Sequence, residues 1–228
     1  MKMKLIGVPA VILFLSFVGC KKESLSEKSS ISYQLKTSNT SSAMNRISSA
    51  GRTEAGTILW TGGSAFANQI KFEAKNSSGE VEFKQNIQQQ IDLFAATSSL
   101  GTITLPPGTY SEVEFKALLV QSGNKPALEL TGTFTTGGIS RPIVFRVSAN
   151  VEVKAEKNNV TVVSGTNYSA LNTIDLSQLT RGVTGADLSN ATLSGGSIIL
   201  SSNSNSAIYN TILNNLSSRH GEAEVEHH

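Results

Sequence analysis

The chain has 228 residues, 16% of them charged and 6% aromatic, with 19 glycines and one cysteine, Cys20. A lone cysteine excludes a disulfide framework, a cysteine zinc site and an iron–sulfur cluster. A 39% hydrophobic content supports one real core, and the length suits one domain or at most two. Loss of the first 20 residues removes Lys2 and Lys4 and no acid, which leaves 17 basic against 17 acidic residues. A neutral chain lacks the basic field that nucleic acid requires, so nucleic acid is not an expected partner.

The amino terminus reads as an address. Lys2 and Lys4 precede an almost entirely apolar run over 5–18, shorter than the roughly 20 residues a bilayer span needs. A basic start, a short apolar stretch and small residues before a cut make a secretory signal over 1–19. Phe17-Val18-Gly19-Cys20 resembles the lipobox of bacterial lipoproteins, with phenylalanine where leucine is usual. The resemblance implies lipid attachment at Cys20, a membrane contact made through that anchor, and a place at the outer membrane or cell surface. Three acyl chains exceed the two signals that stable anchoring requires.

Residues 20–52 are expected to be a tether. Ten serines fall between Ser24 and Ser49 with little apolar periodicity, too little buried surface to offset the entropy of ordering. As a coil, the stretch would span about 30 Å. Within it Ile31, Tyr33 and Leu35 alternate with polar residues, and a strand is the competing reading there.

From residue 53 to 219 the dominant period is two, and the expectation is an all-β fold, an antiparallel β-sandwich with a short C-terminal amphipathic helix. Ile70, Phe72 and Ala74 alternate with Lys71, Glu73 and Lys75, and Val81 and Phe83 begin the return strand after a turn at 76–79. Asn86 to Gln90 is mostly polar and reads as a crossover. Val113, Phe115, Ala117 and Leu119 repeat the alternation, and so do the odd positions from Ile143 to Ala155. That last run would make a strand of about 40 Å, long enough to need a bend. Regular short strands with turns between them point to a sandwich. Ile208, Ile212 and Leu216 recur every four residues with Leu213 beside them, a helix that Ser204 or Ser206 would cap.

Several segments together carry a resemblance. Ile91-Asp-Leu-Phe94, Leu105-Pro-Pro-Gly-Thr-Tyr110, the long run ending near Ala155 and Ile174-Asp-Leu176 resemble a family of uncharacterised Bacteroidota-type lipoproteins. The resemblance covers about 56–180 and implies a transthyretin-like or carboxypeptidase-regulatory-like β-sandwich. It implies no activity, because fold does not dictate function.

Enzyme chemistry finds few parts. All three histidines lie in the tail at 220–228, so the body holds no Ser/His/Asp or Cys/His set, and Asp92, Asp175 and Asp187 are its aspartates. Glu112 and Glu114 share a strand face beside Lys116 and read as a solvated face. Gly62-Gly63, Gly137-Gly138 and Gly195-Gly196 lack a following Lys-Ser/Thr and read as turns. The tail alternates His220, Glu222, Glu224, Glu226 and His228, donors that suit a divalent metal, although a frayed acidic end is the simpler expectation. No cofactor is expected. Trp60 and Tyr110 are the candidate ligand-binding residues, as stacking faces for sugar rings, with a place in the core as the alternative for Trp60. The expectation is therefore a non-catalytic, lipid-anchored envelope or cell-surface binding module for a glycan or an envelope protein. The alternative is a structural subunit of a surface or fimbria-like assembly.

Overall fold

The computed structural model describes residues 28–44, 56–77, 79–96, 98–218, 220–222 and 224–227. The expected signal sequence and Cys20 lie outside these residues. In chain order the strands are β1 (Ser29–Ser38), β2 (Ser41–Met44), β3 (Gly56–Asn76), β4 (Gly79–Asp92), β5 (Ser99–Leu105), β6 (Gly108–Leu119), β7 (Leu128–Thr136), β8 (Ile139–Val147), β9 (Val151–Val162) and β10 (Asn167–Asp175). Two short helices follow, α1 (Leu176–Leu179) and α2 (Gly185–Ser189). The chain ends with β11 (Leu193–Ser194), β12 (Ser197–Leu200), α3 (Ser206–Ser218), β13 (His220–Glu222) and β14 (Glu224–His227).

Two sheets make a sandwich. The smaller has the order β14-β10-β1-β5, and the larger runs β11-β12-β8-β7-β3-β6-β9-β13, with β2 and β4 also on β3. Its axis is β3, whose 21 residues would extend about 70 Å if straight. Antiparallel β7 pairs with the first half of β3 and antiparallel β6 with the second. In turn β8 pairs with β7 and β9 with β6. The thirteen-residue alternation is thus one track in two lengths, β8 and β9, broken at 148–150 with the odd residues inward on both sides. Three pairs depart from the antiparallel expectation: β1 with β10, β12 with β8 and β13 with β9 are parallel.

The inward residues of β3 change parity twice. Ile58 and Trp60 are buried, then Ala65 and Ala67, then Ile70, Phe72 and Ala74. Each change is a bulge, at Trp60/Gly62 and at Ala67/Gln69. Gly62-Gly63 is therefore the interior of a strand and not the expected turn. An added Cβ on Gly63 would lie 2.7 Å from Leu130 Cδ2 and 3.0 Å from Phe94 Cε2, so a larger residue would force these side chains to shift. Gly137-Gly138 and Gly195-Gly196 do sit in turns, with positive φ.

Four expectations are corrected. The tether to residue 52 is not a tether over β1 and β2. Ile31, Tyr33 and Leu35 are at most 2% exposed and β1 lies inside the small sheet between β10 and β5, so this part of the stretch belongs to the folded domain. Asn86 to Gln90 is part of β4, where Ile87 alone packs against the core and the other four residues are exposed, so no alternation appears. The C-terminal tail is tied down: β13 pairs with β9 of the large sheet and β14 with β10 of the small one. Asn205, rather than a serine, precedes α3, with φ +51 and its side chain bonded to Thr192 and Ile199.

Between the sheets Tyr33 of β1 stacks on Phe115 of β6 at 5.5 Å, and Phe115 meets Phe72 of β3 edge-on at 5.1 Å. Such pairs add about 0.5–1.5 kcal/mol to the burial of their area. Helix α3 lays Tyr209, Ile212 and Leu216 on the large sheet, with Tyr209 5.7 Å from Phe145. No helix among the described residues is long and apolar enough to cross a membrane.

Candidate functional site

Neither aromatic chosen from the sequence can face a ligand. Trp60 is 1% exposed and Tyr110 1% exposed. Trp60 sits at the first bulge, where Gly132 of β7 presses so close that an added Cβ would meet Leu59 O at 2.4 Å. Its indole Nε1 is buried without a hydrogen-bond partner. Tyr110 buries its ring while its hydroxyl donates to Pro106 O at 2.8 Å, pinning the Pro-Pro turn to the start of β6. Both are structural residues.

The bulges instead open a groove on the outer face of the large sheet. Cross-strand register aligns Asp92 of β4, Ser64 of β3, Glu129 of β7 and Arg146 of β8 in one row. Beside this row lie Gln90 and Phe66, themselves a cross-strand pair, and the β6–β7 loop with Gln121, Asn124, Lys125 and Pro126. Gly62 and Gly63 line the other end together with Thr131. Two lobes of about 570 and 370 Å³ share Ser64, Gln90 and Glu129, within the roughly 300–1,000 Å³ of small-molecule sites.

Part of the lining is held in place and part is open to a ligand. Arg146 Nε donates to Glu129 Oε2 at 2.6 Å, and Lys125 Nζ to Gln90 Oε1 at 2.5 Å. Asp92 Oδ1 accepts the Phe94 amide at 2.9 Å. Among the described residues the side chains of Ser64, Asn124 and Ser148 have no hydrogen-bond partner, and half-buried Phe66 offers a ring at the wall. Carboxylates, amides and hydroxyls around one apolar ring suit a ligand dense in hydroxyls.

Further along this face the sheet carries two rows of like charge. Lys84, Lys71, Lys116 and Lys154 lie opposite one another across β4, β3, β6 and β9. Glu82, Glu73, Glu114 and Glu156 form the next row. Like charges directly opposite repel, and the ion pairs run along and diagonally between strands to offset this. Lys116 reaches Glu73 and Glu114, each at 2.6 Å, and Lys154 reaches Glu114 and Glu156, each at 2.6 Å. Lys71 pairs with Glu73 and Lys84 with Glu82.

Burial on its own would raise the Glu114 carboxyl. The hydrogen bonds from Lys116 and Lys154 outweigh it and bring the pKa down to about 2. Lys116 shows the converse: burial would lower it, and Glu114 and Glu73 hold it above the ordinary lysine range. Glu112, Glu114 and Glu156 approach within 4.8 Å of one another, yet two lysines already occupy Glu114. The expected solvated face is thus half right, since Glu114 is only 9% exposed beneath its lysines.

No family model matches the chain, and no curated protein and no solved structure matches it.

Proposed function

We propose that the protein is a non-catalytic, lipid-anchored binding module of the outer membrane or cell surface, and that it takes a glycan in the groove. The observation that carries this is the row Asp92–Ser64–Glu129–Arg146 with Gln90 and Phe66 beside it. Planar amides and carboxylates bond sugar hydroxyls in pairs, and an apolar ring covers a sugar's C–H face. The lining contains neither histidine nor cysteine, which supports recognition over nucleophilic chemistry. Anchoring rests on the lipobox-like segment ending at Cys20, and membership of the Bacteroidota-type lipoproteins on the motifs that resemble theirs. A second reading, a structural subunit of a surface or fimbria-like assembly, has in its favour that β4 pairs only with β3 among the described residues.

A glycan-array screen of the full protein tests the first reading, with Glu129→Gln and Asn124→Ala beside it. Binding that falls about tenfold or more in either variant, with an unchanged melting temperature, places the ligand in the groove. Absence of binding to every glycan, or equal binding by both variants, overturns it.

A further inference from the structure

Strand β4 is an edge of the large sheet beside β3, and its outer backbone groups have no strand partner among the described residues. An open edge is a template for another strand. Two features bound its usable length. Residues 77 and 78 connect β3 to β4, with Asn76 opposite Gly79, and the second bulge of β3 sets residues 87 and 88 of β4 against Asn68. Gln88 adopts φ +49 there. Between them 80–86 is regular strand, and its midpoint is Phe83.

Parity decides which groups face out. The pair that closes a two-residue hairpin is hydrogen-bonded, and such pairs alternate with non-bonded ones along the ladder. Phe83 therefore bonds inward to Phe72, and the N–H and C=O groups of Glu80, Glu82, Lys84 and Asn86 face the open edge. The side chains divide as well. Val81 and Phe83 are half-buried apolar residues on the inner face, whereas Glu82 and Lys84 are 42% and 52% exposed on the outer face.

We propose that this edge pairs with the same edge of a second copy of the chain, antiparallel and about a two-fold axis at Phe83. Charge selects both the occupant and the register. With the axis at 83, Glu82 of each copy faces Lys84 of the other, Glu80 faces Asn86, and Val81 faces Gln85. An axis at 82 sets Glu82 against itself, one at 84 sets Lys84 against itself, and one at 81 sets Glu80 against Glu82. Opposite charges across strands stabilise and like charges destabilise, so the register at 83 is the favoured one. It also makes Glu82 and Lys84 the hydrogen-bonded pair, exchanging both backbone bonds, and Phe83 the closer non-bonded pair with its own copy. The lysine row of one copy then runs into the glutamate row of the other, so the repulsion within each row ends in attraction at the join. An isologous contact uses one edge on both copies, so it closes at two and builds no fibre. The dimer is independent of the glycan reading, and it stands against the open-ended assembly.

Disulfide trapping in the full chain tests it, with Cys20→Ser so that the introduced thiol is alone. Phe83→Cys is expected to give a disulfide-linked dimer and Gln85→Cys alone to give none. Sedimentation of the full protein in detergent supplies the second measurement. Glu82→Lys and Lys84→Glu are each expected to weaken the dimer about tenfold or more, and the double exchange Glu82→Lys with Lys84→Glu to restore it. No cross-link at position 83, equal cross-linking at 85, or a double exchange as weak as the single variants overturns the proposal.

Discussion

Glu114→Gln probes the charged face directly. Glu114 lies between Lys116 and Lys154 with 12% of its side chain exposed, and its pKa falls from 4.5 to about 2. A carboxyl depressed in the folded state contributes stability that is fully present above its unfolded pKa. That stability is lost as pH falls through the folded value. At about 1.4 kcal/mol per tenfold in proton affinity, the drop sets a ceiling of about 3 kcal/mol. Screening and the lysines' remaining partners, Glu73 and Glu156, bring the expected loss in Glu114→Gln to about 1–2 kcal/mol at pH 7. Urea unfolding of wild type and variant at pH 7, 5 and 3 reads this from the midpoints, provided the slopes agree. Wild type should weaken steadily from about pH 5 towards pH 2, while the variant should weaken less over the same window. Equal midpoints at pH 7, or the same acid slope in both proteins, would refute the electrostatic account.

Two further outcomes follow from burial. Trp60→Ala should cost about 3–5 kcal/mol by cavity formation at the bulge, read as a lowered urea midpoint; a variant as stable as wild type would return Trp60 to the surface. A chain begun at Thr53 should fail to fold, because it lacks β1, whose Ile31, Tyr33 and Leu35 fill the core between β10 and β5; a cooperative unfolding transition in that chain would overturn the placement of β1.

The fold was legible where one face of a strand is wet and the other dry. The alternations at 70–75, 113–119 and 143–155 became β3, β6 and the β8–β9 track, and the four-residue recurrence at 208–216 became α3. Two segments hid for opposite physical reasons. In β1 the polar Ser32 and Gln34 occupy the half-buried positions between Ile31, Tyr33 and Leu35, so composition spoke for disorder while the spacing spoke for a strand. In β4 from Asn86 to Gln90 every side chain but Ile87 is exposed. A strand at a sheet edge that overhangs the core need not alternate, and periodicity cannot announce it.

The groove was illegible for a different reason, which lies in the bulges. Asp92, Ser64, Glu129 and Arg146 come from four strands, and only register brings them into one row. A local signal did exist. The buried positions of β3 pass from even to odd after Trp60 and back to even after Ala67, and a strand that keeps one face on the core changes parity only by adding a residue. Each addition re-aims the neighbouring side chains. The first leaves Gly62 and Gly63 as a bare lining, and the second starts the rows of charge at Lys71 and Glu73. The outer face therefore divides where β3 slips, with the neutral groove on one side of the second bulge and the ion-paired rows on the other. Trp60 is the chain's one tryptophan, two residues before Gly62-Gly63. Gly63 lets Leu130 and Phe94 come close to the strand, and with Gly62 it lines the open polar surface that begins beside Trp60.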